Sequence, residues 1–140
     1  NATRPWQHVL EPISGYLLLA ESLNYNRLNG EAFNFGPNLT SPYTVENIIK
    51  ILSKHWEGFQ FESLQTSSDY PYEAGLLALN CDKAKNLLNW YPVLEIEDTI
   101  TYTAEWYKNF YKNKENIVNF SINQITKYTD LKINYERKKS

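Results

Sequence analysis

Methionine is absent from the 140 residues, and Cys81 is the only cysteine. Without methionine there is no initiator residue, which predicts that the chain is a piece of a longer product. A single thiol permits no intramolecular disulfide and no thiolate-rich zinc set, so a reducing, cytoplasmic compartment is expected and no metal ligands are assigned. The five glycines are scattered singly. No Gly-x-Gly-x-x-Gly turn and no Walker-type loop can be drawn through them, so the chain by itself is not expected to hold a dinucleotide. Long apolar runs are missing too. The most apolar stretch, Ile13 to Ala20, falls far short of the roughly 20 residues that cross a bilayer. No basic-then-apolar leader precedes it, and no membrane partner is expected. Positive charge is also scarce: the net charge is -2, with no basic run before the last few residues, which argues against nucleic acid as a partner.

What is present is aromatic side chain. Rings make up 15% of the residues, enough that they must build much of the core or line a site. Ile13, Tyr16, Leu17 and Ala20 recur at helical spacing, with Glu11-Pro12 as the helix opening. Ala32 to Gly36 alternates, with Phe33 and Phe35 on one face and Asn34 on the other, and is read as a short strand ending at Gly36-Pro37-Asn38. Ser41-Pro42 or Thr44 caps a second helix carrying Val45, Ile48, Ile49, Leu52 and Trp56. Phe59 to Phe61 and Leu76 to Leu79 read as further strands, separated by a turn-rich surface loop at Ser67 to Pro71. Asp82 opens a short helix with Ala84, Leu87 and Leu88 inward, closed by Asn89 in the left-handed conformation. Glu97 to Tyr111 is a last clear helix, with Ile100, Thr103, Tyr107 and Tyr111 along one face, and a short helix follows Ser121. Short strands alternating with helices predict a small α/β (α+β) lobe over residues 1–111, followed by a C-terminal extension over 112–140.

The densest chemistry lies in Arg4-Pro5-Trp6-Gln7-His8-Val9-Leu10-Glu11-Pro12. Arg4 offers a planar fork for phosphate or carboxylate, Pro5 stiffens the backbone beside it, and Trp6 can wall a pocket. The plain alternative is a strand turning into a helix, with Arg4 stacked on Trp6. Gln7 and His8 fall on opposite faces of such a strand, so at most one of them faces a ligand. Asn34 and Asn38 flank the end of the next strand, where they serve equally as ligand contacts or as ordinary loop and cap residues.

This stretch, with Ser14-Gly15-Tyr16-Leu17, resembles the C-terminal lobe of CDP-glucose 4,6-dehydratases. Phe33-Asn34-Phe35-Gly36-Pro37, Glu73-Ala74, Leu79-Asn80-Cys81-Asp82-Lys83-Ala84-Lys85, and Ser121-Ile122 with Ile125 and Tyr128 are similar to the same family, in its order and at its spacing up to about Leu131. The resemblance implies the substrate-binding lobe of an extended short-chain dehydrogenase whose N-terminal Rossmann domain, the holder of NAD and of the catalytic residues, is missing from this chain. In the complete lyase, CDP-glucose becomes its 4-keto-6-deoxy product for deoxysugar and lipopolysaccharide O-antigen synthesis. This lobe would orient the substrate and be inactive alone.

Carried onto this sequence, the substrate contacts are Arg4, Gln7, His8, Asn34, Asn38 and Glu73, with no catalytic, cofactor or metal residue. Three positions depart from the family: Tyr72 where His is usual before Glu-Ala, Asn80 for Asp, and Asn89 for Gly. Tyr72 puts the nucleotide's identity in question. The same lobe of another nucleotide-sugar epimerase or dehydratase, and a stand-alone, non-catalytic binding or assembly module, are the alternatives.

Overall fold

A computed structural model of the chain describes residues 2–25, 28–38, 43–62 and 75–139. In order along it lie α1 (Leu10–Leu23), α2 (Val45–Ser53), α3 (Asp82–Leu88), α4 (Ile96–Lys112), one 3₁₀ turn (Lys114–Asn116) and α5 (Ile117–Lys139). No helix among the described residues is long and apolar enough to cross a membrane.

The helices start where their local chemistry allows. Pro12 sits in the first turn of α1, where its missing N–H would have no intrahelical partner anyway. Thr44 caps α2: its hydroxyl accepts from the Asn47 backbone N–H at 3.1 Å, and the Asn47 side chain accepts from the Thr44 N–H at 3.1 Å. This reciprocal pair satisfies two of the donors left over at a helix start. α3 ends at Asn89, which takes the left-handed conformation (φ 51°, ψ 32°), and the next residue's N–H donates to the Ala84 carbonyl at 3.2 Å.

The core is aromatic. Phe35, Cys81, Ala84, Leu88 and Trp90 are buried together, with Leu18 and Leu19 of α1, Phe33 and Leu79 packed against them. Gly15 of α1 faces Phe35, and any β-carbon there would fall onto the ring. The N-terminal segment is bound on two sides: the Thr3 N–H donates to the Gly75 carbonyl at 2.9 Å, and the Val45 N–H donates to Ala2 at 3.2 Å. α4 packs on α2 and α5.

Four expectations change. The α/β class is not confirmed, because the described residues contain no strand, only isolated bridges from Thr3 to Thr44 and to Leu76. The alternation at 32–36 is there, but it packs side chains without pairing backbones: Phe33 stacks on Phe35 at 6.4 Å, and Asn34 Nδ2 reaches the Asn80 carbonyl at 3.2 Å. An extended segment becomes a strand only when a neighbour takes up its N–H and C=O groups. Leu87 is exposed rather than inward. On α4 the buried stripe is Ile96, Thr99, Ile100 and Ala104, while Tyr107 and Tyr111 stay exposed beyond the core. The element after Ser121 is part of α5, a 23-residue helix rather than a short one.

Candidate functional site

The N-terminal segment, the end of the 32–38 stretch and the start of α4 enclose a cleft of about 330 Å³, lined among others by Arg4, Trp6, Asn38, Tyr43, Glu95 and Thr99. Trp6 is held in place, its Nε1 donating to the Tyr43 carbonyl at 3.2 Å. Arg4 Nη1 donates to the Thr3 carbonyl at 2.6 Å, which anchors the guanidinium at the rim. A cation, an indole face and an amide around one hollow suit a ligand that is anionic at one end and flat at the other. Serine, cysteine, histidine and lysine are missing from the described lining.

Over 116 residues, 82% of its length, the chain is 34% identical to a CDP-glucose 4,6-dehydratase of Salmonella typhimurium (strain LT2). By sequence the chain is a relative of CDP-glucose 4,6-dehydratase. It spans about a third, 32%, of that relative's length. No protein-family model matches it.

Of the residues assigned from the dehydratase resemblance, Arg4 and Asn38 meet in the cleft. Gln7 and Asn34 make backbone contacts instead: Gln7 Nε2 donates to the Phe35 carbonyl at 2.9 Å, and Asn34 bonds Asn80 as above. The Gln7 Oε1 is buried without a hydrogen-bond partner among the described residues. Glu73, like Tyr72, Ser41-Pro42 and the Ser67 to Pro71 loop, lies outside the described residues.

His8 faces a different hollow, of about 450 Å³, beside Trp106, Gln124 and Ile125. Its Nδ1 accepts from the Leu10 N–H at 3.3 Å, and its ring meets Tyr102 edge-on at 5.5 Å. Burial pushes the imidazole below its ordinary value. The unfolded chain therefore takes up this proton first as the pH falls. Stability is full above pH 6.5 and is lost as the pH drops through the lower folded-state value. His8→Asn can keep the Leu10 bond through Oδ1 and is expected to flatten this part of the profile. Urea midpoints for both chains at about pH 8 and about pH 5.5 provide the check. Equal falls in the two would show that His8 does not carry the slope.

One heavily bonded side chain was read from the sequence only as part of a helix opening. Glu11 is 1% exposed. Its Oε1 accepts from the backbone N–H groups of Val93 and Leu94 at 2.8 and 2.7 Å, and its Oε2 accepts from the Tyr128 hydroxyl at 2.8 Å. Ser14 Oγ joins the cluster, accepting from Trp90 Nε1 at 2.9 Å. Lys132, with its ammonium 5.2 Å from the Trp90 ring, is lowered by burial, which the attraction of Glu11 partly offsets. Glu-Pro at a helix start carries no signal of burial. The Glu11 to Tyr128 pairing links residues 117 positions apart, beyond the reach of any local pattern.

Proposed function

We propose that this chain is the substrate-holding, C-terminal part of a CDP-glucose 4,6-dehydratase, converting CDP-glucose to CDP-4-keto-6-deoxyglucose as part of the complete enzyme. The convergence of Arg4, Trp6 and Asn38 on one cleft carries the reading, and the relative's name supports it. Arg4 holds a phosphate oxygen of the nucleotide, Trp6 walls the flat end, and Asn38 offers an amide. Glu73, Asn34 and at most one of Gln7 and His8 remain assigned to the substrate side through the resemblance.

The sequence carries no Gly-x-Gly-x-x-Gly turn. The two glycines with positive φ, Gly30 and Gly58, follow the ends of α1 and α2 rather than opening a helix, and a phosphate loop needs the opposite order. The resemblance assigns NAD to an N-terminal Rossmann domain of the same enzyme. This chain's residues bind and orient the nucleotide sugar, so that binding energy far from the reacting carbons supports catalysis.

The test is ligand-dependent thermal stability. A ligand that binds only the folded chain raises its melting temperature in proportion to affinity and concentration. CDP is expected to stabilise this chain more than UDP, dTDP or GDP at equal concentration. Arg4→Ala is expected to weaken CDP binding by about 1.5–3 kcal/mol, the value of a charge-assisted bond, or roughly ten- to hundredfold in dissociation constant. Equal shifts with all four nucleotides would remove the cytidine assignment and leave a general nucleotide-sugar lobe. No shift with any of them would favour a stand-alone assembly module.

A further inference from the structure

The Glu11 carboxylate lies behind the cleft wall, not in it. Both its backbone partners belong to the segment that leads into α4, and Leu94, Glu95 and Ile96 of that segment line the cleft. One oxygen taking two successive N–H groups fixes the position and tilt of the peptide planes there, because each bond constrains a different plane.

The proton count around the cluster closes. Ser14 Oγ donates its own hydrogen to the Glu11 carbonyl at 2.7 Å and accepts from Trp90 Nε1 at 2.9 Å. The Tyr128 hydroxyl has one hydrogen and two acceptors within reach, Glu11 Oε2 at 2.8 Å and Ser14 Oγ at 3.0 Å. The charged acceptor is the stronger one. With that bond made, the buried carboxylate has three donors, and Tyr128 ties α5 to the wall beside Lys132, whose Nζ donates to the Tyr91 carbonyl at 2.6 Å.

We propose that Glu11 and Tyr128 are positioning residues for the cleft: the carboxylate sets the 93–94 backbone and the start of α4, and the tyrosine hydroxyl sets the carboxylate. The identity of the ligand rests on the function proposed above. The consequence is that an α5 residue outside the cleft lining governs how well the cleft accepts its nucleotide.

Two variants separate positioning from bulk stability. Tyr128→Phe deletes only the hydroxyl. Glu11→Gln can keep both backbone bonds through its carbonyl oxygen, while its amide donates to the Tyr128 oxygen and the tyrosine proton turns to Ser14. Amide hydrogen exchange at Val93 and Leu94 and the CDP dissociation constant are measured on the full chain. The reference is wild type in enough urea to match each variant's overall stability, which removes general loosening from the comparison.

Tyr128→Phe is expected to speed exchange at both amides about tenfold beyond the matched wild type and to raise the CDP dissociation constant about tenfold, and Glu11→Gln, which keeps the bonds with a neutral acceptor, is expected to shift both in the same direction by less. Exchange in Tyr128→Phe equal to the matched wild type would overturn the proposal. So would loosened amides with unchanged CDP affinity. If wild type binds no CDP, the nucleotide reading fails and the exchange comparison alone decides whether the pair positions this segment.

Discussion

Alanine at position 90 is expected to remove about 3–5 kcal/mol of folding free energy, the range for deleting a large buried aromatic. Trp90 is completely buried, meets Phe35 edge-on at 5.0 Å, and donates to Ser14 at 2.9 Å. Truncation opens a cavity between α1, α3 and the 33–35 stretch, and it takes one donor from the Glu11 cluster. Domains of this size hold roughly 5–15 kcal/mol in all, so the variant should sit at or near the edge of folding. Trp90→Phe keeps part of the ring and should cost distinctly less. Urea unfolding followed by circular dichroism measures both. A loss below about 1 kcal/mol for the alanine variant would mean that the core closes over the gap.

Gly15→Ala is expected to cost about 3 kcal/mol, the upper end of the range for overpacking. The added carbon falls onto the Phe35 ring, and that ring has little room to retreat. It is met edge-on by Tyr16 at 5.5 Å and by Trp90 at 5.0 Å, and it is stacked on Phe33 at 6.4 Å. Reducing Phe35 should therefore relieve the added methyl. In a double-mutant cycle, Gly15→Ala with Phe35→Leu is expected to be less destabilised than the two single costs added together, by at least about 1 kcal/mol. Strict additivity would show that Gly15 is needed for some reason other than the ring.

The helices could be read from the sequence because their causes are local. The spacing of apolar residues marked α2 and α4, and Thr44 and Asn89 closed their helices by side-chain and backbone preferences that act within a few residues. At α1 it marked the helix but not its packed face: Ile13, Tyr16 and Leu17 are exposed, while Glu11, Gly15, Leu18 and Leu19 turn inward. The extended segments were read as strands for the same reason, since Phe33 and Phe35 do alternate with Asn34. Alternation reports which face is buried and says nothing of what the backbone bonds. The candidate site divided along the same line. Arg4, Trp6 and Asn38 line one cleft, because segment 2–6 is pinned between Gly75 and Val45. His8 and Gln7 turned to other neighbours, since their direction depends on where α4, α5 and Phe35 sit. Tyr128 was noticed only through resemblance, as its partner lies near the other end of the chain.

That separation of 117 residues between Glu11 and Tyr128 imposes an order on how the molecule is made. Chains leave the ribosome at roughly 5–20 residues per second. The first helix therefore emerges several seconds or more before the tyrosine that completes its carboxylate's bonding. Through that interval Glu11 has to stay in water, since burying it with donors missing would cost more than the packing of α1 returns. Final docking of α1 must then wait for the arrival of α5, and the closing contact is a long-range one of the kind that slows folding.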